Sequence, residues 1–216
     1  MATFKDFRNN VKPNWCPGCG DFSVQAAIQK AAANVGLEPE EVAIITGIGE
    51  AHFSTFKSVK DIAKIKTRIF EGLADNGVAI VNNDTLYADY LVDKARENTN
   101  NVLTYSIKKD SNADLTVDNI KYNKGNIELL INDQNNETDI YQLNTISEGM
   151  VSNTLASILT LKSLNLPIKQ ELLNDFKPFS KILALKEIHA KTHKLTLLDD
   201  THNASLPAMI NAIRAF

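Results

Sequence analysis

A handful of side chains in this sequence stand at spacings that could do chemistry. Cys16-Pro17-Gly18-Cys19 separates two thiols by two residues. Such a turn can point both sulfurs inward, and the spacing serves zinc, iron–sulfur clusters and redox dithiols alike. A closed metal site needs four ligands, yet the chain has only these two cysteines, and His52, His189, His193 and His202 are not in ligand spacing near them. A redox dithiol would follow a strand, whereas Asn9, Asn10 and Pro13 make the preceding segment turn-rich. An inert pair and half of a metal site stay equally open. Lys66 comes four residues after Ile62 and three and four before Ile69 and Phe70. On a helix it shares their apolar face. Burial there disfavours the ammonium, and a neutral amine can react with carbon dioxide. The plainer alternative is a lysine whose stem covers the core while its head reaches water. His52 follows Gly47-Ile48-Gly49 at a strand end, where open α/β sheets place ligands; a surface loop histidine would look the same.

These residues need elements to position them. Asp21 or Ser23 can cap a helix running to about Asn34, which Gly36 stops. Val42 to Thr46 is a short apolar run and predicts a buried parallel strand. Ser58 caps a helix to about Glu71, ended by Gly72. Val78 to Val81 predicts a second buried strand, Leu86 to Ala95 a helix, and Val102 to Ile107 a third strand. This alternation favours a parallel sheet covered by helices. Leu115–Val117, Ile120–Tyr122, Ile127–Ile131 and Ile140–Leu143 then alternate between Asn/Asp/Gly turns, which predicts antiparallel hairpins. Met150 to Leu161 and Ile168 to about Asp175 read as helices, and 176–179 as a linker. Leu195 to Leu198 reads as a strand, and Ser205 caps a last helix. The fold class expected is α/β: a mostly parallel sheet flanked by helices, an antiparallel hairpin patch, and a truncated second Rossmann-like unit at the C-terminus.

Composition sets outer limits. The 216 residues are 44% hydrophobic and 23% charged, as in ordinary globular proteins. A formal net charge of −3 with no run of five basic residues argues against a nucleic-acid surface. No apolar stretch is long enough to span a bilayer, and the first residues form no signal-peptide core. The expectation is a soluble, reduced, cytoplasmic protein with no membrane or nucleic-acid partner; a partner subunit is left open.

Two families resemble parts of the chain. Trp15-Cys16-Pro17-Gly18-Cys19-Gly20-Asp21-Phe22, the Ala-rich helix after it, and Ile44-Ile45-Thr46-Gly47-Ile48-Gly49 resemble the start of the thiamine-diphosphate-binding β subunit of 2-oxoacid:ferredoxin oxidoreductases. In that family the cysteine pair supplies two of four cluster ligands, and a third cysteine follows the Gly-Ile-Gly turn; here Glu50 stands there. The family's Gly-Asp-Gly diphosphate segment is missing too. This departure predicts neither a complete iron–sulfur cluster nor bound thiamine diphosphate.

From Ile48 onward the chain is similar to the Mur ligases, in particular the branch that adds D-alanyl-D-alanine to a UDP-muramoyl tripeptide. The matching segments are 48–52, 62–73, Val81-Asn82-Asn83-Asp84, 149–156 and Asp199-Asp200-Thr201-His202-Asn203-Ala204. The resemblance implies an amide ligase that forms an acyl phosphate with ATP and magnesium. It implies His52 and a carbamoylated Lys66 as magnesium ligands with catalytic roles. Asn82 would contact the adenine, Asn153 would lie near the nucleotide, Lys181 would stand for the family's phosphate-binding Arg, and Asp200 would bind the ribose. Nucleotide and a UDP-muramoyl-peptide-like substrate are the partners implied. The division expected is an oxidoreductase-like segment over 1–49, a Mur-ligase central part over 50–175, and the start of the C-terminal unit over 176–216. The family's phosphate-cradling loop, Gly-x-x-x-x-Gly-Lys-Ser/Thr, occurs nowhere in the 216 residues. Three functions are therefore compatible with the sequence: a Mur-ligase-like enzyme that is incomplete and inactive as it stands, an oxidoreductase β-subunit piece, and a non-catalytic scaffold.

Overall fold

The computed structural model describes residues 3, 5–6, 29–49, 56–123, 126–133, 137–144, 148–174, 184–189, 193–199, 209–210 and 213. Helix α1 is seen over residues 29–34, and the chain leaves it through Gly36 at φ 77°, a left-handed position that glycine takes without steric cost. The first strand, β1 (Val42–Ile45), lies in the main sheet, as its apolar run predicts. β2 (Val78–Asn82) and β3 (Asn101–Ser106) follow it in parallel, in the order β1-β2-β3. The sheet continues through β4 (Leu115–Asn123), parallel to β3, then the antiparallel β5 (Asn126–Asp133) and β6 (Thr138–Leu143). A register shift between Val117 and Asn119 bulges β4, so two segments that read as separate in sequence are one bent strand.

Helices cover both faces. α4 (Glu148–Ser163) packs on β2 and β3, and its Val151, Leu155, Ile158 and Leu159 join Ile80, Tyr105, Leu129 and Ile131 in one core. The other face holds Ala43, Ile45, Ala79 and Val81 against Ala63, Phe70, Leu91 and Ala95. Those last four come from α2 (Val59–Lys66), the 3-10 turn Thr67–Gly72, and α3 (Ala88–Arg96). Short α5 (Gln170–Asn174) sits on β6, where the Gln170 side chain accepts from Gln142 N (3.3 Å) and donates to Gln142 O (3.0 Å). It thus occupies backbone groups on the sheet's edge strand.

Ser58 caps α2 as the sequence predicts, accepting from Asp61 N at 3.2 Å. The expected continuation to Glu71 is corrected: α2 ends at Lys66 and tightens into the 3-10 turn. This changes the inward stripe, because three residues per turn replace 3.6. Ile62, Ala63, Thr67 and Phe70 point into the protein, while Ile65, Lys66 and Ile69 are exposed. Thr67 can be buried because its hydroxyl donates to Lys64 O at 2.8 Å.

Near the C-terminus, β7 (Ala184–His189) and β8 (Lys194–Asp199) form a separate antiparallel pair. The sequence indicated β8 alone, as the opening strand of a β-α unit; its described partner is instead the antiparallel β7. The helix expected after Ser205 begins outside the described residues.

Candidate functional site

Because β1, β2 and β3 are parallel, their carboxyl ends lie along one edge of the sheet, where open α/β sheets hold ligands. The polar residues there come from three chain exits: 46–49 after β1, 82–85 at the end of β2, and 106–108 after β3. The β2 exit, Asn82-Asn83-Asp84-Thr85, ties the other two to it.

Asn82 is 8% exposed and spends most of its amide on the protein. Its Nδ2 donates to Thr46 O (2.8 Å) and to Ser152 Oγ on α4 (3.3 Å). Its Oδ1 accepts from Asp84 N at 2.9 Å. A carbonyl can only accept and a backbone N–H can only donate, so these partners fix which end of the amide faces which way. Thr85 Oγ1 accepts from Ile48 N (2.6 Å) and donates to Ile48 O (3.2 Å), clamping the glycine turn after β1. Asp84 takes the β3 exit, accepting from Ser106 Oγ (2.8 Å), Ile107 N (2.7 Å) and Lys108 Nζ (3.2 Å). Asn83 Nδ2 donates to Ser111 Oγ at 3.0 Å.

Tyr105 pairs with Asn82 in the β2–β3 register and is fully buried on the α4 side. Its hydroxyl is the buried side-chain polar atom among the described residues that makes no hydrogen bond. Burial pushes this phenol up to about 12; nearby Ser152 partly counters that, without a hydrogen bond of good geometry, and Asp84 adds to it. The native state therefore keeps a proton that the unfolded chain releases near pH 10, so stability falls as pH rises from 10 to 12. Tyr105→Phe is expected to flatten that alkaline limb by about 2–3 kcal/mol at pH 12 relative to wild type. Denaturant melts of both proteins at pH 8 and pH 11.5 check this; parallel pH profiles would contradict it.

Of the residues singled out by sequence, Asn82 sits at this edge as part of the hub. Asn153 follows Ser152 near the start of α4 and is exposed, with its carbonyl accepting from Ser157 Oγ at 3.0 Å. Lys66 is the last residue of α2 and is exposed, so the burial expected of it is corrected. His52, Cys16, Cys19, Lys181 and Asp200 lie outside the described residues. Among the described residues no group of three or more His, Cys, Asp and Glu is placed to hold a metal ion. No described helix is long and apolar enough to cross a membrane. Sequence reading missed Ser152, Tyr105 and Thr85. Each gains its role from a partner distant in the chain.

The family model described as the Mur ligase middle domain matches residues 23–161. That match starts inside the segment that also resembles the oxidoreductase subunit. The UDP-N-acetylmuramoyl-tripeptide–D-alanyl-D-alanine ligase of Buchnera aphidicola is 29% identical over 226 residues, covering 99% of this chain and 47% of the relative. The chain thus spans about half of that protein's length. Subunit β of 2-oxoacid:ferredoxin oxidoreductase 1 from Aeropyrum pernix is 49% identical over 43 residues, 20% of this chain and 14% of the subunit. Among solved structures, the MurF ligase of Thermotoga maritima in complex with ADP superimposes with a TM-score of 0.67 at 21% identity, covering 81% of this chain and 38% of that one. The sheet order, the helices on its two faces and the middle-domain match agree, and the chain belongs to the Mur ligase family.

Proposed function

We propose that this chain is built on the scaffold of an ATP-dependent amide ligase of peptidoglycan-precursor synthesis. We further propose that it keeps the base side of the nucleotide site and does not itself complete the ligation. The observation that supports this best is Asn82: buried, fixed in orientation, and placed at the carboxyl ends of β1 and β2. The Buchnera relative's name gives the substrates such a site would serve, a UDP-muramoyl tripeptide and D-alanyl-D-alanine. The Thermotoga ligase carries ADP, which favours ATP as the nucleotide.

The residues fit the parts of that nucleotide unequally. Asn82 suits a base, Asn153 lies one residue from the Asn82 partner Ser152, and Asp200 is assigned to the ribose by resemblance. Lys181 would offer a phosphate a point charge without the two-pronged grip of arginine. The chain has no Gly-x-x-x-x-Gly-Lys-Ser/Thr loop whose N–H groups would cradle phosphates. For magnesium, exposed Lys66 lacks the buried setting that carbamate formation calls for. The described residues therefore do not fit a magnesium site around it. The division at residue 49, with its seam at Gly47-Ile48-Gly49, is part of this proposal. The short oxidoreductase-like match favours a borrowed N-terminal segment. With two thiolates, and Glu50 as a hard oxygen ligand, a complete cluster is not expected there.

Phosphate release is the direct assay: purified chain, ATP, magnesium, UDP-muramoyl tripeptide and D-alanyl-D-alanine. No release above the protein-free rate is expected. Turnover that depends on both cosubstrates would overturn the inactive reading and leave the family assignment intact.

A further inference from the structure

We propose that Ser152 is a specificity-determining positioning residue, which makes Asn82 an acceptor-only group and so selects bases that carry an exocyclic amine. This rests on the base-site reading above. A neutral Asn amide offers two N–H donors and two lone pairs on Oδ1. Thr46 O takes one donor at 2.8 Å and Ser152 Oγ takes the other at 3.3 Å. Asp84 N takes one lone pair at 2.9 Å. One Oδ1 lone pair is the hydrogen-bonding capacity left. Any group that bonds to this side chain must therefore donate a proton to it. A 6-amino purine does so. A 6-oxo purine presents an oxygen to an oxygen, and such a mismatch in a buried site is rejected far more strongly than a missing methylene.

The three constraints are unequal. Thr46 O and Asp84 N are backbone groups and are unaltered by side-chain substitution. Ser152 is the replaceable one, standing in the first turns of α4 and half-buried. In Ser152→Ala the methyl cannot accept, so one Asn82 N–H loses its partner. Asn82 then offers both a donor and an acceptor, and discrimination at the purine 6-position weakens. Alanine is the strongest helix former, so α4 is not expected to suffer. Ser152→Thr keeps the hydroxyl and is the conservative rescue.

The test uses nucleosides, which need no phosphate cradle. Adenosine and inosine are titrated into the full chain by ligand-observed NMR, with wild type, Ser152→Ala and Ser152→Thr compared. Wild type is expected to favour adenosine by about tenfold or more. Ser152→Ala should bring the ratio to within about threefold of unity, mainly by gaining inosine affinity, and Ser152→Thr should restore the preference. A purely structural role would weaken both nucleosides together and leave the ratio unchanged; that result overturns the proposal while the base site stands. Equal binding of both by wild type also overturns it. If wild type binds neither nucleoside, the base-site reading falls, and this proposal falls with it.

Discussion

Asn82→Asp is expected to lower stability by about 3–5 kcal/mol at pH 7, the cost of a buried charge left without a counter-charge. The substitution is nearly isosteric, so packing hardly changes. What changes is the sign of one edge. Nδ2 now donates to Thr46 O at 2.8 Å and to Ser152 Oγ at 3.3 Å, whereas an aspartate would put an oxygen against the Thr46 carbonyl. The bond from Asp84 N survives, since it needs an acceptor and finds one, and the Ser152 hydroxyl can turn to donate; the Thr46 carbonyl is left facing a negative oxygen. Asn82→Ala removes all three bonds, the one from Asp84 N included, without adding charge. It should cost less, about 2 kcal/mol, from the unpaired Thr46 carbonyl and the small cavity. Urea melts of the three proteins order them; an aspartate variant as stable as wild type would mean that the hub does not hold the strand ends.

Gly77→Ala is expected to cost about 3 kcal/mol, at the upper end of overpacking effects. Gly77 stands where the chain enters β2, at the opposite edge of the sheet. A β-carbon there would lie 2.7 Å from Glu40 O, 3.0 Å from Ala74 O and 3.0 Å from Leu73 Cδ2. Two of these three are backbone atoms held by their own bonds. Glu40 O accepts from Ala74 N at 2.9 Å, and Ala74 O accepts from Gly77 N at 2.8 Å. Relief thus requires the β1 and β2 entrances to separate. Gly77 O also accepts from the buried Thr99 hydroxyl at 2.6 Å, so the β3 entrance would feel the shift. Gly72→Ala is the natural control, with open space at its β-carbon. Thermal melts in which both variants match wild type would refute the close approach.

Much of the scaffold was legible because its signals are local. The apolar runs of β1 and β2, the alternation in β5 and β6, and the Ser58 cap each depend on a few consecutive residues. β7 was not legible. Its sequence, Ala-Leu-Lys-Glu-Ile-His, puts charged residues among apolar ones, and pairing with β8 is what makes it a strand. The stripe of Ile62, Lys66, Ile69 and Phe70 does not hold together, because the helix tightens at Thr67 and the 3.6-residue period that would align Ile69 and Phe70 with Lys66 stops there. The hub around Asn82 was legible only as one residue. Its partners Thr46 and Ser152 lie 36 and 70 positions away in sequence, and no local pattern carries such pairings. The left-handed Tyr87 at the start of α3, φ 62°, escaped for a related reason, since tyrosine is not a residue that announces that conformation.

We propose that this chain retains a Mur ligase scaffold with base contacts but without a grip on phosphate. A hydrogen bond to a charged phosphate oxygen contributes about 1.5–3 kcal/mol. Doing without three of them amounts to about 5–9 kcal/mol, or roughly three to six decades in affinity. Calorimetric titration of ATP with excess magnesium into the full chain measures this directly. Binding weaker than about 1 mM, little changed by Lys66→Ala, is the expected result. Micromolar affinity that is abolished by Lys66→Ala or His52→Ala would contradict it and show that a working phosphate and metal site is present.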